Sequence, residues 1–350
     1  MVRWRSLVAG GAVSAVAIVL LLRSVDLART GEAFARASPG WLALAVLFIA
    51  GALFMRVWKW QLLFLPDDRV SLWGACSASL IGYMFNTILP GRVGELARAS
   101  LVSQTERVSV ARAVGTIFIE KILDILTLLL MLAAVMLAMP LPDWITTAGL
   151  TATLAFGLLG AAFFAMSAVR GPFVAWLARR IDPLPLLGRM RPSRMADLLL
   201  GSARCLGRPR LLALQVFTSA ALWTFAWLTA AAILRAFHVD APWTAVTLLI
   251  VTTNLGMTVP SAPGYVGVYH YIAVLTLGLF SVDAAHALGA AVMLHALGFG
   301  LFTLAGAALL LLGLAQQRYS LAGLRGEAAA APAIATQAKQ PVATGAAAPR

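Results

Sequence analysis

Charge is scarce in this chain. Of 350 residues, 12% are Asp, Glu, Lys or Arg, 61% are hydrophobic, and the mean hydropathy is +0.88. No water-soluble domain can hide that much apolar surface, so a soluble globular fold is excluded. Cysteine is nearly missing too. Cys76 falls in an apolar segment and Cys205 in a basic loop, which excludes a disulfide framework. The sequence holds no P-loop, no Gly-x-Ser-x-Gly, no paired Cys motif and no His-Glu-x-x-His. Its loops are too short for an ATPase domain, and no acid pair stands at the end of a span as a lipid-linked glycosyltransferase would require. The expectation is a protein that is not an enzyme and takes no cofactor and no metal.

What is present is a set of long apolar runs. Stretches of about 20 apolar residues match a bilayer core roughly 30 Å thick, and candidates lie at 5–22, 41–65, 115–138, 144–167, 211–235 and 286–314. Shorter or interrupted stretches occupy 72–89, 243–259 and 266–282. The chain therefore reads as an all-α polytopic membrane protein. The first run follows Arg3 and Arg5 like a signal peptide, but its length and the early next span make it an uncleaved helix. Residues 1–324 read as one integral membrane domain. Residues 325–350, rich in Ala and Pro and without periodicity, read as a disordered tail.

The net charge of +13 rests on 27 basic against 14 acidic residues. The Arg residues cluster in loops between spans, which argues against nucleic acid and for the positive-inside pattern, with attraction to anionic headgroups. The loop 168–210 holds nine Arg, from Arg170 to Arg210, against Asp182 and Asp197. It is expected in the cytoplasm, together with both termini. The turn 139–143 has no Lys or Arg and belongs outside, as does 23–40 despite Arg23, Arg29 and Arg36. Trp4, Trp41, Trp58, Trp60, Trp144 and Trp243 lie near span ends, as an interfacial belt requires.

One short phrase occurs twice: Pro90-Gly91-Arg92-Val93-Gly94-Glu95 and Pro263-Gly264-Tyr265-Val266-Gly267-Val268. The copies are 173 residues apart and agree at four of six positions. Paired, Gly/Pro-interrupted apolar segments in two halves of a membrane protein point to a transport site. If six helices cross and the segments around the two phrases re-enter, three full spans separate the copies and the second is inverted. Two re-entrant hairpins, 72–112 from the cytoplasm and 243–283 from outside, would then meet inside the bundle, because irregular backbone survives at membrane depth only when covered. If every apolar stretch spans, the count is eight or nine and no inversion follows.

In the first copy Pro90 ends a helix and Gly91 frees the backbone, so a new helix can start near Val93. Its free N–H groups favour anions, Arg92 offers a bidentate fork for phosphate, and Glu95 and Arg98 can pair. A solvated cytoplasmic turn is the plainer alternative. The second copy sits in a charge-free stretch with Pro260 and Pro263; Asn254, Ser261 and Tyr265 are candidate headgroup contacts, and a Pro-kinked packing helix is the alternative. Glu120, Lys121 and Asp124 open the third span. Each charge at a helix centre costs about 2.5–3.5 kcal/mol, so the trio must be paired, cavity-facing or at the interface, with Arg92 or Arg98 as natural partners. A span beginning at Ile122 would leave the trio at the surface. His295, among Gly289, Gly298 and Gly300, reads as a packing or hydrogen-bonding residue.

Taken together, Asn86…Pro90-Gly91-Arg92-x-Gly94-Glu95-x-x-Arg98, Glu120-x-x-x-Asp124 and Pro260-Ser261-x-Pro263-Gly264-x-x-Gly267-Val268 resemble the lysylphosphatidylglycerol synthase transmembrane region family. This is the flippase-like domain also found as stand-alone bacterial and archaeal proteins. The resemblance covers nearly all of 1–320 and is closest to the subgroup linked to hopanoid synthesis. It implies translocation of a polar-headed lipid across the inner membrane rather than aminoacylation, since no synthase domain is expected after Leu324. It also implies lipid-synthesis enzymes as partners. The family's second phrase commonly continues to a Glu, where this chain has Val268-Tyr269-His270. The expected substrate-binding set is Asn86, Pro90, Gly91, Arg92, Gly94, Glu95, Arg98, Glu120, Lys121, Asp124, Asn254, Ser261, Pro263, Gly264, Tyr265, Gly267 and His270. A lipid-delivering scaffold and a membrane-embedded lipid-phosphate transferase are the alternatives.

Overall fold

The computed structural model describes residues 4–89, 93–184, 191–258 and 261–316, and every regular element among them is helical. Helices α1 (Trp4–Ser24), α2 (Leu27–Ala35), α3 (Pro39–Leu62), α4 (Leu72–Ile88), α5 (Val93–Glu106) and α6 (Val110–Ala138) form the first half. Peripheral helices α7 (Asp143–Ala168), α8 (Arg170–Arg180) and α9 (Pro192–Gly201) follow. The second half comprises α10 (Pro209–Ala236), α11 (Trp243–Gly256), α12 (Val268–Gly278), α13 (Ala284–His295) and α14 (Leu301–Ala315). A π-helical turn, Ala296–Gly300, joins the last two into one rod.

Among the described residues, five helical rods are long and apolar enough to cross a membrane: 39–62, 110–138, 145–168, 209–236 and 284–315. The bent pair of α1 and α2, 83° apart, makes a sixth if taken as one span. Asp26 enforces that bend by accepting the N–H groups of Ala28 and Arg29 as the N-cap of α2. These rods coincide with the runs expected from hydropathy. Leucines on their outer faces stay bare, with Leu137 on α6 90% exposed and Leu158 on α7 70%, as lipid-facing positions should be. The chain is a multi-pass membrane protein.

The shorter apolar helices pair with their sequence neighbours. Ser71, at the start of α4, donates its N–H and hydroxyl to the Glu106 carboxylate at the end of α5 (2.9 and 2.6 Å). At the other end the Gly94 N–H donates to Asn86 Oδ1 at 2.8 Å. The two helices thus form an antiparallel hairpin. Its close approach requires glycine, because a Cβ on Gly82 would lie 2.9 Å from the Gly94 carbonyl oxygen. Helices α11 and α12 pair likewise, through Thr252 and Thr276 (2.8 Å) and the packing of Gly256 on Ile272. With 17, 14, 14 and 11 residues, α4, α5, α11 and α12 reach only about 16–26 Å each, short of a roughly 30 Å core.

Helices α3 and α10 form the central seam and run antiparallel. Lys59 O accepts from Gln215, Gly51 packs on Phe225, and Ser38 N–H donates to Ala236 O. The first hairpin follows the end of α3 and the second follows the end of α10, which lies at the opposite end of that seam. The hairpin tips meet: a Cβ on Gly264 would sit 3.3 Å from the Thr87 carbonyl oxygen. Each hairpin is seated in its own apolar core, one around Trp60, Ile81, Leu101 and Ile119 and one around Ile233, Leu248, Ala273 and Ala291.

Candidate functional site

A cavity of about 420 Å³ lies between the two cores. Its floor is charged or polar: Arg56 from α3, Tyr83 and Asn86 from α4, Glu95 from α5, Lys121 and Asp124 from α6. Its walls are apolar, including Leu53, Leu128, Leu222, Leu249 and Phe302. Thr87, next to the first tip, and Thr258 and Tyr265, from the second, also face into it.

An ion network backs the floor. Asp124 accepts from Lys59 Nζ at 2.6 Å and from Arg56 Nη1 at 3.1 Å. Arg56 also stands 3.8 Å from Glu120, whose other oxygen is 2.9 Å from Arg98 Nη1. Glu95 joins Lys121 at 2.9 Å and Arg98 at 4.0 Å. The Arg98 guanidinium lies flat on the Trp60 ring, 3.6 Å from its centroid, and the Trp60 N–H donates to Thr116. Lys59 and Glu120 are fully buried and Arg98 is 1% exposed. Four cations thus face three carboxylates among the described residues of the network, an excess of one positive charge. Among the described residues two donors remain unpaired at the cavity wall: the Tyr83 hydroxyl and the indole N–H of Trp223, which is itself 6% exposed. The cavity thus offers two unmet donors, with the positive excess of the network behind them, at the head of an apolar chamber.

The sequence-derived residues divide accordingly. Asn86, Glu95, Lys121, Asp124, Asn254 and Tyr265 line the cavity. Arg98 and Glu120 stand behind it in the ion network, and Gly94 serves the hairpin contact. Asn254 donates to Ile250 O of its own helix. Pro263 and Gly264 form a 3-10 turn, where Gly264 (φ 70°) meets the first tip; Gly267 (φ 90°) packs on Ser14 and Ile18 of α1. The Ser261 carbonyl lies against Gly10 of α1, and its buried hydroxyl has no partner. His270 pairs with His295 instead of facing the cavity. Pro90, Gly91, Arg92 and Pro260 lie outside the described residues.

Two expectations change. A surface position for the Glu120–Asp124 trio fails, because α6 starts at Val110 and carries both acids in buried ion pairs. Trp60 is no interfacial anchor; it is fully buried, its face taken by Arg98. Sequence reasoning also passed over Arg56 and Lys59. The available signal was two cations three apart near the end of the apolar run 41–65, a spacing that puts both on one helix face. Trp223 and Tyr83 carried no such signal, since aromatic residues are ordinary in a span.

Compared with family models, residues 7–306 match the one described as lysylphosphatidylglycerol synthase TM region. No curated protein matches the chain.

Proposed function

The chain belongs to the lysylphosphatidylglycerol synthase transmembrane region family, and on that premise we propose that it carries a polar-headed, anionic lipid between the leaflets of the bacterial inner membrane. The observation that carries this reading is the cavity itself, in which a polar floor with two unpaired donors among the described residues, backed by an ion network with one excess positive charge, opens into an apolar chamber. Arg56 and Lys121 would take the head's negative charge, Tyr83 an acceptor oxygen, and the Leu and Phe walls the first methylenes. Such a volume lies within the 300–1,000 Å³ usual for ligand sites. No reaction is assigned to the protein; it acts as a carrier.

The two hairpins are read as re-entrant and as inverted copies of one unit. Shifting α3, α4, α5 and α6 by 173 positions brings each onto α10, α11, α12 and the α13–α14 rod within a few residues. Helix α14 packs on α4 as α6 packs on α11, and α3 crosses α10 antiparallel. That arrangement suits exposure of one central site to each side in turn. The Arg-rich stretch from Arg170 to Arg210 supports cytoplasmic termini. Within the family we favour the hopanoid-associated subgroup, on the wording of the second phrase, with lipid-synthesis enzymes supplying the cargo.

The test is leaflet-resolved transport of labelled anionic lipids in proteoliposomes holding only this protein. Translocation should be at least about tenfold slower for Arg56→Ala, the scale of one lost charge-assisted hydrogen bond. Equal rates for wild type, variant and empty vesicles would refute the proposal. Mass spectrometry of co-purified lipids would name the cargo.

A further inference from the structure

Behind the cavity wall, and outside its lining, two histidines meet. His270 stands on the first turn of α12 and His295 at the end of α13, directly before the π-helical turn. His270 Nε2 lies 3.1 Å from His295 Nδ1, and both side chains are buried. His270 also holds the second loop. The Gly267 N–H donates to His270 Nδ1 at 3.4 Å. Gly267 and Gly264 have the positive φ values that shape the loop.

The polarity of this chain of bonds is fixed by chemistry. A backbone amide can only donate, so His270 Nδ1 must present its lone pair. A neutral His270 then carries its hydrogen on Nε2 and donates to His295 Nδ1. That leaves the hydrogen of His295 on Nε2. The Gly267 N–H of the loop is satisfied only while His270 keeps the lone pair on Nδ1 that the neutral pair provides.

We infer that His270 and His295 form a proton-binding site that locks the second loop while neutral and frees it on taking up one proton. An added proton on His270 places N–H against the Gly267 N–H. An added proton on His295 Nδ1 faces the His270 Nε2–H and drives the His270 hydrogen to Nδ1, with the same clash. Either way the Gly267 bond is lost. Charge around the pair offers no other outlet. Helices α4, α11, α12 and α14 and the loop residues 261–267 contain no Asp, Glu, Lys or Arg. The charges of α10, Arg210 and Arg235, lie at its ends, as do those of α1, Arg5 and Arg23; Arg29 and Glu32 sit on the exposed face of α2, and Asp283 and His286 are at the far end of α13. The titratable groups beside the pair are Tyr269, its ring 5.0 Å from His295, and Tyr265, which reaches it through Phe299. This inference stands whether or not the cavity carries lipid.

The chain has four histidines, so two-bond nitrogen–proton NMR of the full-length protein labelled with ¹⁵N-histidine can read each tautomer, with His270→Asn and His295→Gln giving assignments. Hydrogen exchange of the amides in 261–267, corrected for intrinsic rates, follows the loop from about pH 8 to about pH 3, through and below the ordinary imidazole range. The expected result is two neutral Nε2–H histidines at the alkaline end. Loop protection should then fall about tenfold or more as they titrate, a pH response absent in the double variant. A neutral Nδ1–H tautomer at either residue, or protection that ignores pH, or a pH response that persists in the double variant, would overturn the assignment.

Discussion

Replacing Glu120 by Leu should be the most damaging single change to the charged floor. At 2.9 Å from Arg98, the Coulomb attraction is about 6 kcal/mol at an effective dielectric constant of about 20. Burying both ions costs several kcal/mol each, so the intact pair contributes little net stability. The asymmetry appears when one member is removed. Glu120 accepts no well-angled hydrogen bond, so its role is charge alone. Without it Arg98 keeps, among the described residues, the Trp60 ring, the more distant Tyr83 ring at 5.9 Å and Glu95 at 4.0 Å, and Glu95 is already engaged by Lys121. Leaving a buried cation uncompensated costs about 3–5 kcal/mol. Reversible unfolding in bicelles should register that loss for Glu120→Leu. Adding Arg98→Met should recover most of it, because two apolar side chains of similar bulk pack where two ions stood. If Glu120→Leu alone matches wild type, or if the double variant is no better than Glu120→Leu alone, the buried-pair reasoning is wrong.

Three further outcomes follow from the geometry. Tyr83→Phe removes a hydroxyl that has no partner among the described residues; thermal stability should hold while affinity for an anionic lipid drops by about 1 kcal/mol, or roughly fivefold, in a binding titration. Gly94→Ala drives a methyl into the Gly82 carbonyl and Asn86; it should cost about 1–3 kcal/mol in the same unfolding assay, and a neutral result would mean that the hairpin is not this close. Burial pushes the Cys205 thiol up to about 11, so at neutral pH it stays a thiol; maleimide should label native protein at Cys76 only, Cys76→Ser should abolish labelling, and Cys205 should react once the chain is unfolded.

Much of the fold was legible because bilayer length is a hard constraint on sequence. The six long runs reappear as helices with ends shifted by a few residues, and the broken stretches at 72–89, 243–259 and 266–282 reappear as short helices. Glycine and proline announced the second loop, where Gly264 and Gly267 take positive φ values that few other residues tolerate. The site was read only in part. Glu120, Asp124 and Arg98 stood out as charges in apolar surroundings and do interact. Arg56 and Lys59 were hidden by their place near a span end, where basic residues usually reach for headgroups; that they turn inward is decided by Asp124, 65 and more positions away. The His270–His295 contact is similarly non-local, since it requires α12 and α13 to fold back on each other.

The touch between Thr87 and Gly264 has a mechanical consequence. On the proposed re-entrant reading, two wedges set point to point share one volume, so neither advances unless the other withdraws. Access from opposite faces would then be mutually exclusive by steric occupancy alone. A seal against leakage would be built into the shape of the tips and would need no separate door.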